Sequence, residues 1–222
     1  METETMGVFI IIPARNECLT IADVVQRAQK FGHVVVVDDG STDNTNSEAE
    51  RVGAVVLEHV VNLGKGCALK TGCDYALHHG ADNIVILDAD AQHDPGQIPE
   101  FLAALHTHDI VFGYRTFTGD MPWILRFGNT LISKLTRFLY GISLRDTQCG
   151  YRAFTSAAYE KLRWRASDYS VESEIVSTTG NEKLRYVELS IPTVYHNRYK
   201  GTTVIDGMKI VLKMIWWKVS SS

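Results

Sequence analysis

Asn83-Ile84-Val85-Ile86-Leu87-Asp88-Ala89-Asp90-Ala91-Gln92-His93-Asp94-Pro95 is the stretch on which the reading of this chain turns. Ile84 to Leu87 make a short, uninterrupted apolar run, the pattern of a strand covered on both faces. The run gives way at once to acid. Side chains two apart along an extended backbone share a face, so Asp88, Asp90 and Gln92 can converge on one point. Oxygen donors gathered at the carboxyl end of a strand suit a hard divalent cation, Mg²⁺ or Mn²⁺. Asp94-Pro95 reads as an N-cap followed by proline at the first helical position, so a helix is expected to start there. A bare Asp-x-Asp also serves merely to solvate a turn, and the motif alone does not choose between the two roles. Its place after a buried strand favours the functional one, because ligands of open α/β sheets bind beyond the carboxyl ends of strands.

The same grammar repeats on the N-terminal side. Val8 to Ile12 is a buried strand that runs into the polar turn Pro13-Ala14-Arg15-Asn16-Glu17. Ile21, Val24, Val25, Ala28 and Phe31 then follow helical spacing, with Gly32 as a C-terminal stop. Val34 to Val37 is a second strand ending in Asp38-Asp39-Gly40-Ser41-Thr42-Asp43, where Ser41 or Asp43 can cap the next helix. Ala54 to Leu57 is a third strand, and Asn62-Leu63-Gly64-Lys65-Gly66 opens a helix reaching about Leu77. Beyond the central stretch, a helix near Gln97 to His106 leads to a fifth strand, Ile110 to Phe112, ending in Gly113-Tyr114-Arg115. Alternating strands and helices predict a mostly parallel sheet with helices on both faces. No Gly-x-Gly-x-x-Gly follows the first strand, so the dinucleotide fingerprint is absent.

After residue 120 the rhythm changes. Pro122 to about Tyr140 is a long apolar helix carrying Arg126, Lys134 and Arg137. Asp146-Thr147-Gln148-Cys149-Gly150-Tyr151-Arg152 is a polar turn feeding a short apolar stretch. A helix is expected around Glu172 and Glu174, and an alternating strand from Tyr186 to Ile191. A loop at Arg198 to Thr203 precedes a last helix, Val204 to Val219. Its face of Val204, Met208, Val211, Ile215 and Val219 is flanked by lysines and ends in Trp216-Trp217. That suits a helix lying in a membrane interface, and equally a core helix closing the domain.

The chain has 222 residues, 45% hydrophobic and 22% charged, enough for one sizeable core and one domain. A net charge of −4 argues against a nucleic-acid partner. Neither a signal segment nor an apolar run of membrane-spanning length stands out. The four cysteines show no zinc spacing, so a cytoplasmic protein with reduced thiols is expected. None of the histidines stands at convincing ligand spacing.

Taken in order, Pro13-Ala14-Arg15-Asn16-Glu17, Asp38-Asp39-Gly40-Ser41, Asn62-Leu63-Gly64-Lys65-Gly66, Asp88-Ala89-Asp90-Ala91-Gln92 and the Asp146-to-Arg152 turn resemble the inverting family-2 glycosyltransferases of GT-A fold. Within these the chain is similar to the branch that makes dolichyl- and polyprenyl-phosphate sugars. The resemblance covers nearly the whole chain. It implies a nucleotide-sugar donor, Mg²⁺ or Mn²⁺ on its diphosphate, and a polyprenyl or dolichyl phosphate acceptor reached at the cytoplasmic face of a membrane. Carried over by position, Pro13, Arg15, Glu17, Lys65, Asp88 and Ala89 would bind the donor, and Val37 and Asp39 its base. Asp88, Asp90 and Gln92 would hold the metal. Arg115 and Arg126 would meet the acceptor phosphate, and Arg198 would close over the donor. Residues 1–115 then form a nucleotide-sugar half, 116–203 an acceptor half and 204–222 an amphipathic helix. Thr202, Thr203 and Val204 stand where mannose-transferring members carry a lysine, and the Asp146-to-Gly150 wording is nearer to dolichyl-phosphate glucosyltransferases. Both features favour UDP-glucose over GDP-mannose.

The chemistry asks for charge control on the leaving diphosphate, which a cation on Asp88 and Asp90 supplies, with Arg198 and Lys65 adding to it. Lys65 reads equally as a solvated loop lysine. A phosphate acceptor, with a second pKa of about 6, needs a positive seat rather than a general base. Asp90, Arg115 and Arg198 are therefore the expected catalytic set. Asp146 either orients a phosphate-binding arginine such as Arg152 or braces its turn. Glu172 and Glu174 either face sugar hydroxyls or lie on a helix surface. The alternatives are a transferase acting on a sugar hydroxyl of a glycan, and a non-catalytic nucleotide-sugar binder.

Overall fold

The longest apolar runs of the chain become strands. The computed structural model describes residues 7–115 and 133–192. Its strands are β1 (Val8–Ala14), β2 (His33–Asp39), β3 (Val55–His59), β4 (Asn83–Ile86), β5 (Ile110–Arg115), β6 (Arg152–Thr155) and β7 (Tyr186–Ile191). They form one seven-stranded sheet in the order β3-β2-β1-β4-β6-β5-β7. β1 is parallel to β2 and β4, β2 to β3, and β5 to β7. Only β6 is reversed, antiparallel to β4 on one side and β5 on the other. The mostly parallel sheet is as expected. The insertion of β6 between β4 and β5 is not, because that stretch read only as an apolar tail to a turn.

The pleat sorts each strand's side chains into two cores. Phe9 and Ile11 face one layer, with α3 (Lys65–His78), α6 (Ser156–Leu162) and α7 (Val171–Asn181). Val8, Ile10 and Ile12 face the other, with α1 (Ile21–Ala28), α2 (Thr45–Arg51) and α4 (Ile98–Leu105). Ile10, Ile11 and Ile12 are wholly buried, each contributing roughly 1.5–3 kcal/mol by leaving water. α1 buries Ile21, Val24, Val25 and Ala28, the spacing read from sequence. Gly32 is not its stop, since α1 ends at Ala28. Asp94 accepts from Gly96 N at 2.8 Å and starts a 3-10 turn, Pro95–Gln97, that leads into α4.

A helical stretch over residues 133–140, α5, is the described part of the expected Pro122-to-Tyr140 helix. Arg126, Arg198 and the Val204-to-Val219 helix lie outside the described residues. Among the described residues no helix is long and apolar enough to cross a membrane.

The reversal of β6 has a direct effect on position. Ile86 of β4 and Phe112 of β5 both pair with Arg152, the first residue of β6. The turn before Arg152 therefore enters the sheet at the carboxyl ends of β4 and β5, beside Asp88 and Arg115.

Candidate active site

The carboxyl ends of β1, β2 and β4 open into a cleft of about 560 Å³. Pro13, Arg15, Glu17, Asp39, Asn62, Lys65, Asp88, Ala89 and Asp90 line it, with Asp168 and Tyr169 from the loop before α7. The first two turns are laced together. Asn16 N donates to Ser41 Oγ at 2.9 Å, Thr42 N to Asn16 Oδ1 at 2.8 Å, and Glu17 N to Thr45 Oγ1 at 2.8 Å.

Asp39 is buried and organises the next loop. Its carboxylate accepts from Leu63 N, Gly64 N and His59 Nδ1, each at 2.8 Å. A carboxylate has about four acceptor positions, so one remains for a ligand N–H. Val37, expected at the base, is not brought to the cleft. Its side chain is wholly buried in the core under α3.

Asp88 and Asp90 both face the cleft, though not by strand alternation. β4 ends at Ile86, and the chain then turns through Ala91 in the left-handed region, φ +60°. Because of that turn Gln92 is not among the lining residues, and its backbone N–H donates to Asp90 Oδ1 at 3.0 Å instead. Gly150 of the 146–152 turn packs against Asp88, and a Cβ there would stand 2.4 Å from Asp88 Oδ2.

Lys65 is not a solvated loop lysine. Its Nζ lies 2.8 Å from Asp88 Oδ1 and 2.9 Å from Glu172 Oε1. Burial alone would lower its pKa, but the two carboxylates outweigh burial and raise it. Burial likewise opposes ionisation of Asp88, and the Lys65 charge reverses that, holding its carboxyl at about 2. Asp90 moves the other way, raised by burial and by the like charge of Asp88. Lys65 compensates Asp88, while Asp90 is left with the like charge of its neighbour. Among the described residues no three His, Cys, Asp or Glu gather into a metal cage. Two carboxylates beside a cleft do fit Mg²⁺ or Mn²⁺ held mainly by water and substrate phosphates.

Glu172 and Glu174 are not surface glutamates. Glu172 is buried, with Oε1 on Lys65 and, among the described residues, no hydrogen-bond partner for Oε2. Glu174 accepts from Arg165 N at 2.9 Å and Ala166 N at 2.7 Å, which fixes the loop that carries Asp168 and Tyr169. His93 was passed over in the sequence. It is buried against the acid pair, Nδ1 3.7 Å from Asp88 Oδ2 and Nε2 4.0 Å from Cys149 Sγ. Burial lowers its pKa despite the carboxylates of Asp88 and Asp90. The signal available was its place three residues after Asp90, but its buried partner Cys149 comes from a distant turn.

Arg115, at the end of β5, is gripped by Asp146. Nε donates to Oδ2 at 2.6 Å and Nη2 to Oδ1 at 3.1 Å, in the two-pronged geometry arginine makes with carboxylates. The Asp146 side chain is 0% exposed and that of Arg115 18%. Asp146 thus orients Arg115 and not Arg152. The Arg152 guanidinium is spent on the carbonyls of Cys149, Thr147 and Glu172 at 2.9–3.1 Å, so it braces the turn and is not available to a phosphate.

The profile of the family described as Glycosyl transferase family 2 matches residues 9–163. The chain is 31% identical over 241 residues to the UDP-N-acetylglucosamine–dolichyl-phosphate N-acetylglucosaminyltransferase of Methanococcus voltae, covering 96% of each chain. It is 27% identical over 235 residues to the polyprenol monophosphomannose synthase of Mycolicibacterium smegmatis, covering 97% of this chain and 88% of that one. Glucosyl-3-phosphoglycerate synthase from Mycobacterium tuberculosis, solved with Mn²⁺, UDP and glucosyl-3-phosphoglycerate, superposes with a TM-score of 0.74 at 21% identity, over 99% of this chain and 80% of that one. That likeness speaks for the fold, which is GT-A. With a profile that runs from β1 to the end of α6, and a relative alike over nearly its whole length, the chain belongs to glycosyl transferase family 2 and is a glycosyltransferase.

Proposed function

We propose that this glycosyltransferase moves a hexose, with inversion, from a nucleotide sugar of UDP-glucose or GDP-mannose type to dolichyl or polyprenyl phosphate, using Mg²⁺ or Mn²⁺. The observation that carries the reading is the Arg115–Asp146 clamp beside the Asp88/Asp90 pair, a fixed cation next to a cation-hungry acid pair. The relatives named for dolichyl phosphate and for polyprenol support the acceptor class, and the one named for UDP-N-acetylglucosamine supports a uridine donor.

Pro13, Arg15 and Glu17 receive the nucleotide, and the remaining acceptor position of Asp39 takes a base N–H. Asp88 and Asp90 hold the divalent cation, which when bound supplies Lewis-acid stabilisation of the departing diphosphate. Lys65 adds positive charge there. Arg115, with its plane fixed by Asp146, seats the acceptor phosphate. That phosphate is largely dianionic above its second pKa of about 6, so its oxygen attacks the anomeric carbon without a protein base. A new C–O–P bond forms on the face opposite the breaking bond, and the nucleoside diphosphate leaves with the electron pair. Arg126 completes the acceptor seat and Arg198 closes over the donor. The one domain keeps the donor half at 1–115 and the acceptor half at 116–203. The 204–222 helix rests on the cytoplasmic face of the membrane as a peripheral contact.

The rival is transfer to a sugar hydroxyl, for which Glu172, a buried carboxylate held by Lys65 behind the cleft wall, is the nearest general-base candidate. The two readings separate in one assay. The protein is incubated with UDP-glucose, UDP-N-acetylglucosamine or GDP-mannose, Mg²⁺, and either a polyprenyl phosphate or a soluble glycan, and products are read by mass spectrometry. A sugar-phosphate-lipid is expected. Transfer to the glycan with none to the lipid phosphate overturns the proposal.

A further inference from the structure

Lys65 stands where positive charge in the cleft is most needed. Its Nζ bridges Asp88 Oδ1 at 2.8 Å and Glu172 Oε1 at 2.9 Å, with 17% of the side chain exposed. The backbone beneath it is pinned. A Cβ on Gly64 would lie 2.3 Å from Ser167 O, and one on Gly66 2.1 Å from Ala166 O, so only glycines allow the 166–168 loop to press this close. Gly66 N donates to Ser167 O at 2.8 Å, and Trp164 Nε1 donates to Gly66 O at 2.9 Å. The main chain is fixed while the four-carbon side chain keeps its rotamers, so Lys65 can change partners without the loop moving. Lys65 occupies one Asp88 oxygen in this state, yet Asp90 faces the same cleft and Glu172 Oε2 has no partner among the described residues.

We infer that Lys65 is a resident counter-ion that holds the place of the divalent cation until nucleotide arrives, so that metal binding is conditional on the diphosphate. The inference rests on the proposed role of Asp88 and Asp90 as metal-holding residues. Lys65 repels a dication that comes alone, and it occupies Asp88 Oδ1. A diphosphate brings several anionic oxygens, which are better partners for an ammonium than a shared carboxylate. Lys65 then swings onto the diphosphate and frees Asp88 Oδ1, so that Asp88 and Asp90 act together on the cation. Glu172 keeps the ammonium next to Asp88 in the free enzyme. Nucleotide and metal consequently raise each other's affinity by the same factor, as linkage requires.

The test is direct binding of Mn²⁺ to the full chain, read from the electron paramagnetic resonance signal of free Mn²⁺, with and without saturating UDP. Wild type is expected to bind Mn²⁺ about tenfold or more tightly when UDP is present, within the usual range of such couplings. Lys65→Met is expected to bind Mn²⁺ without nucleotide more tightly than wild type does, and to gain less from UDP than wild type gains, the remaining gain coming from the diphosphate oxygens themselves. Lys65→Gln serves in its place should the Met variant not fold. Lys65→Arg, which keeps the charge, is expected to retain the wild-type coupling. The inference is overturned if Lys65→Met and Lys65→Gln bind Mn²⁺ without nucleotide no better than wild type, or if Lys65→Arg behaves like Lys65→Met. Asp90→Ala separates this from failure of the metal site itself. If it binds Mn²⁺ with UDP as wild type does, the metal reading falls and takes the inference with it. If it abolishes that binding while Lys65→Met changes nothing, the inference falls alone.

Discussion

Replacing Asp146 by Asn keeps the shape of its side chain and removes the charge that holds Arg115. In the native protein this carboxylate accepts from Arg115 Nε at 2.6 Å and Nη2 at 3.1 Å, and from Gln148 N at 3.2 Å, with no exposed side-chain surface. Asparagine offers one oxygen in place of two, and its NH₂ group must face a guanidinium N–H or an amide. Leaving a buried partner unsatisfied in this way costs about 1–3 kcal/mol. Removing the group outright in Asp146→Ala costs about 3–5 kcal/mol, because the arginine charge is stranded. For a chain of this size, each kcal/mol lowers the melting temperature by about 2–4 °C. Asp146→Asn is therefore expected to melt about 2–12 °C below wild type, with Asp146→Ala lower still. The functional effect should be one-sided. An arginine that has lost its two-pronged grip seats the acceptor badly, so KM for polyprenyl phosphate rises about tenfold or more while UDP affinity stays near wild type. Differential scanning fluorimetry gives the first quantity, and steady-state kinetics with calorimetric UDP binding give the second. An Asp146→Asn protein with unchanged melting and unchanged acceptor KM would refute the clamp. Equal losses of UDP and acceptor binding would show that Asp146 supports the cleft generally and not Arg115 in particular.

Asp90→Ala should lower transfer about a hundredfold or more with a melting temperature close to wild type, since relief from the like charge of Asp88 offsets the hydrogen bond lost from Gln92 N; activity near wild type would remove Asp90 from the site. Gly150→Ala is expected to push on Asp88 Oδ2, which a Cβ would approach to 2.4 Å, and to weaken Mn²⁺–UDP binding; unchanged binding would mean the turn yields at no cost. Burial pushes the Asp74 carboxyl up, but hydrogen bonds from Arg163 and Tyr159 prevail and lower its pKa. That pair therefore stabilises the fold fully above the unfolded value of about 3.9, and the contribution is lost as pH falls through the lower folded value. Asp74→Asn should flatten stability against pH below about 4 in acid titrations followed by circular dichroism, and an unaltered acid limb would contradict this.

Much of the architecture can be read in one dimension because β1, β2 and β4 are unbroken apolar runs whose ends carry polar turns. β6 escapes that reading. It has four residues, begins with a buried arginine, and owes its position to pairing with β4 and β5 rather than to any period of its own. The site divides along the same line. Asp39, Asp88, Asp90 and Arg115 are legible because each stands at or just beyond the carboxyl end of a strand. The partners that decide their electrostatics are not, since Asp146, Glu172 and His93 meet them only through the fold. Gln92 departs from simple strand alternation for a local reason: Ala91 takes a left-handed φ that nothing in an alanine announces. The Val37 side chain, two residues before Asp39, belongs to the core face under α3, so only its backbone is left to meet a base.

Gly113 N donates to Tyr151 O at 2.9 Å, and Phe112 stands opposite Arg152, so the chain departs after β5 and comes back to almost the same spot. Everything between those two residues is a detour that starts and finishes on one hydrogen-bonded rung. Its described residues are anchored to the rest of the sheet, for Tyr140, Ile142 and Leu144 join the core with α3 and α7, and Arg145 N donates to Glu188 Oε1 at 2.7 Å. A segment transplanted between those two anchor points must therefore keep apolar side chains at 140, 142 and 144, or the core beneath α3 opens along with it.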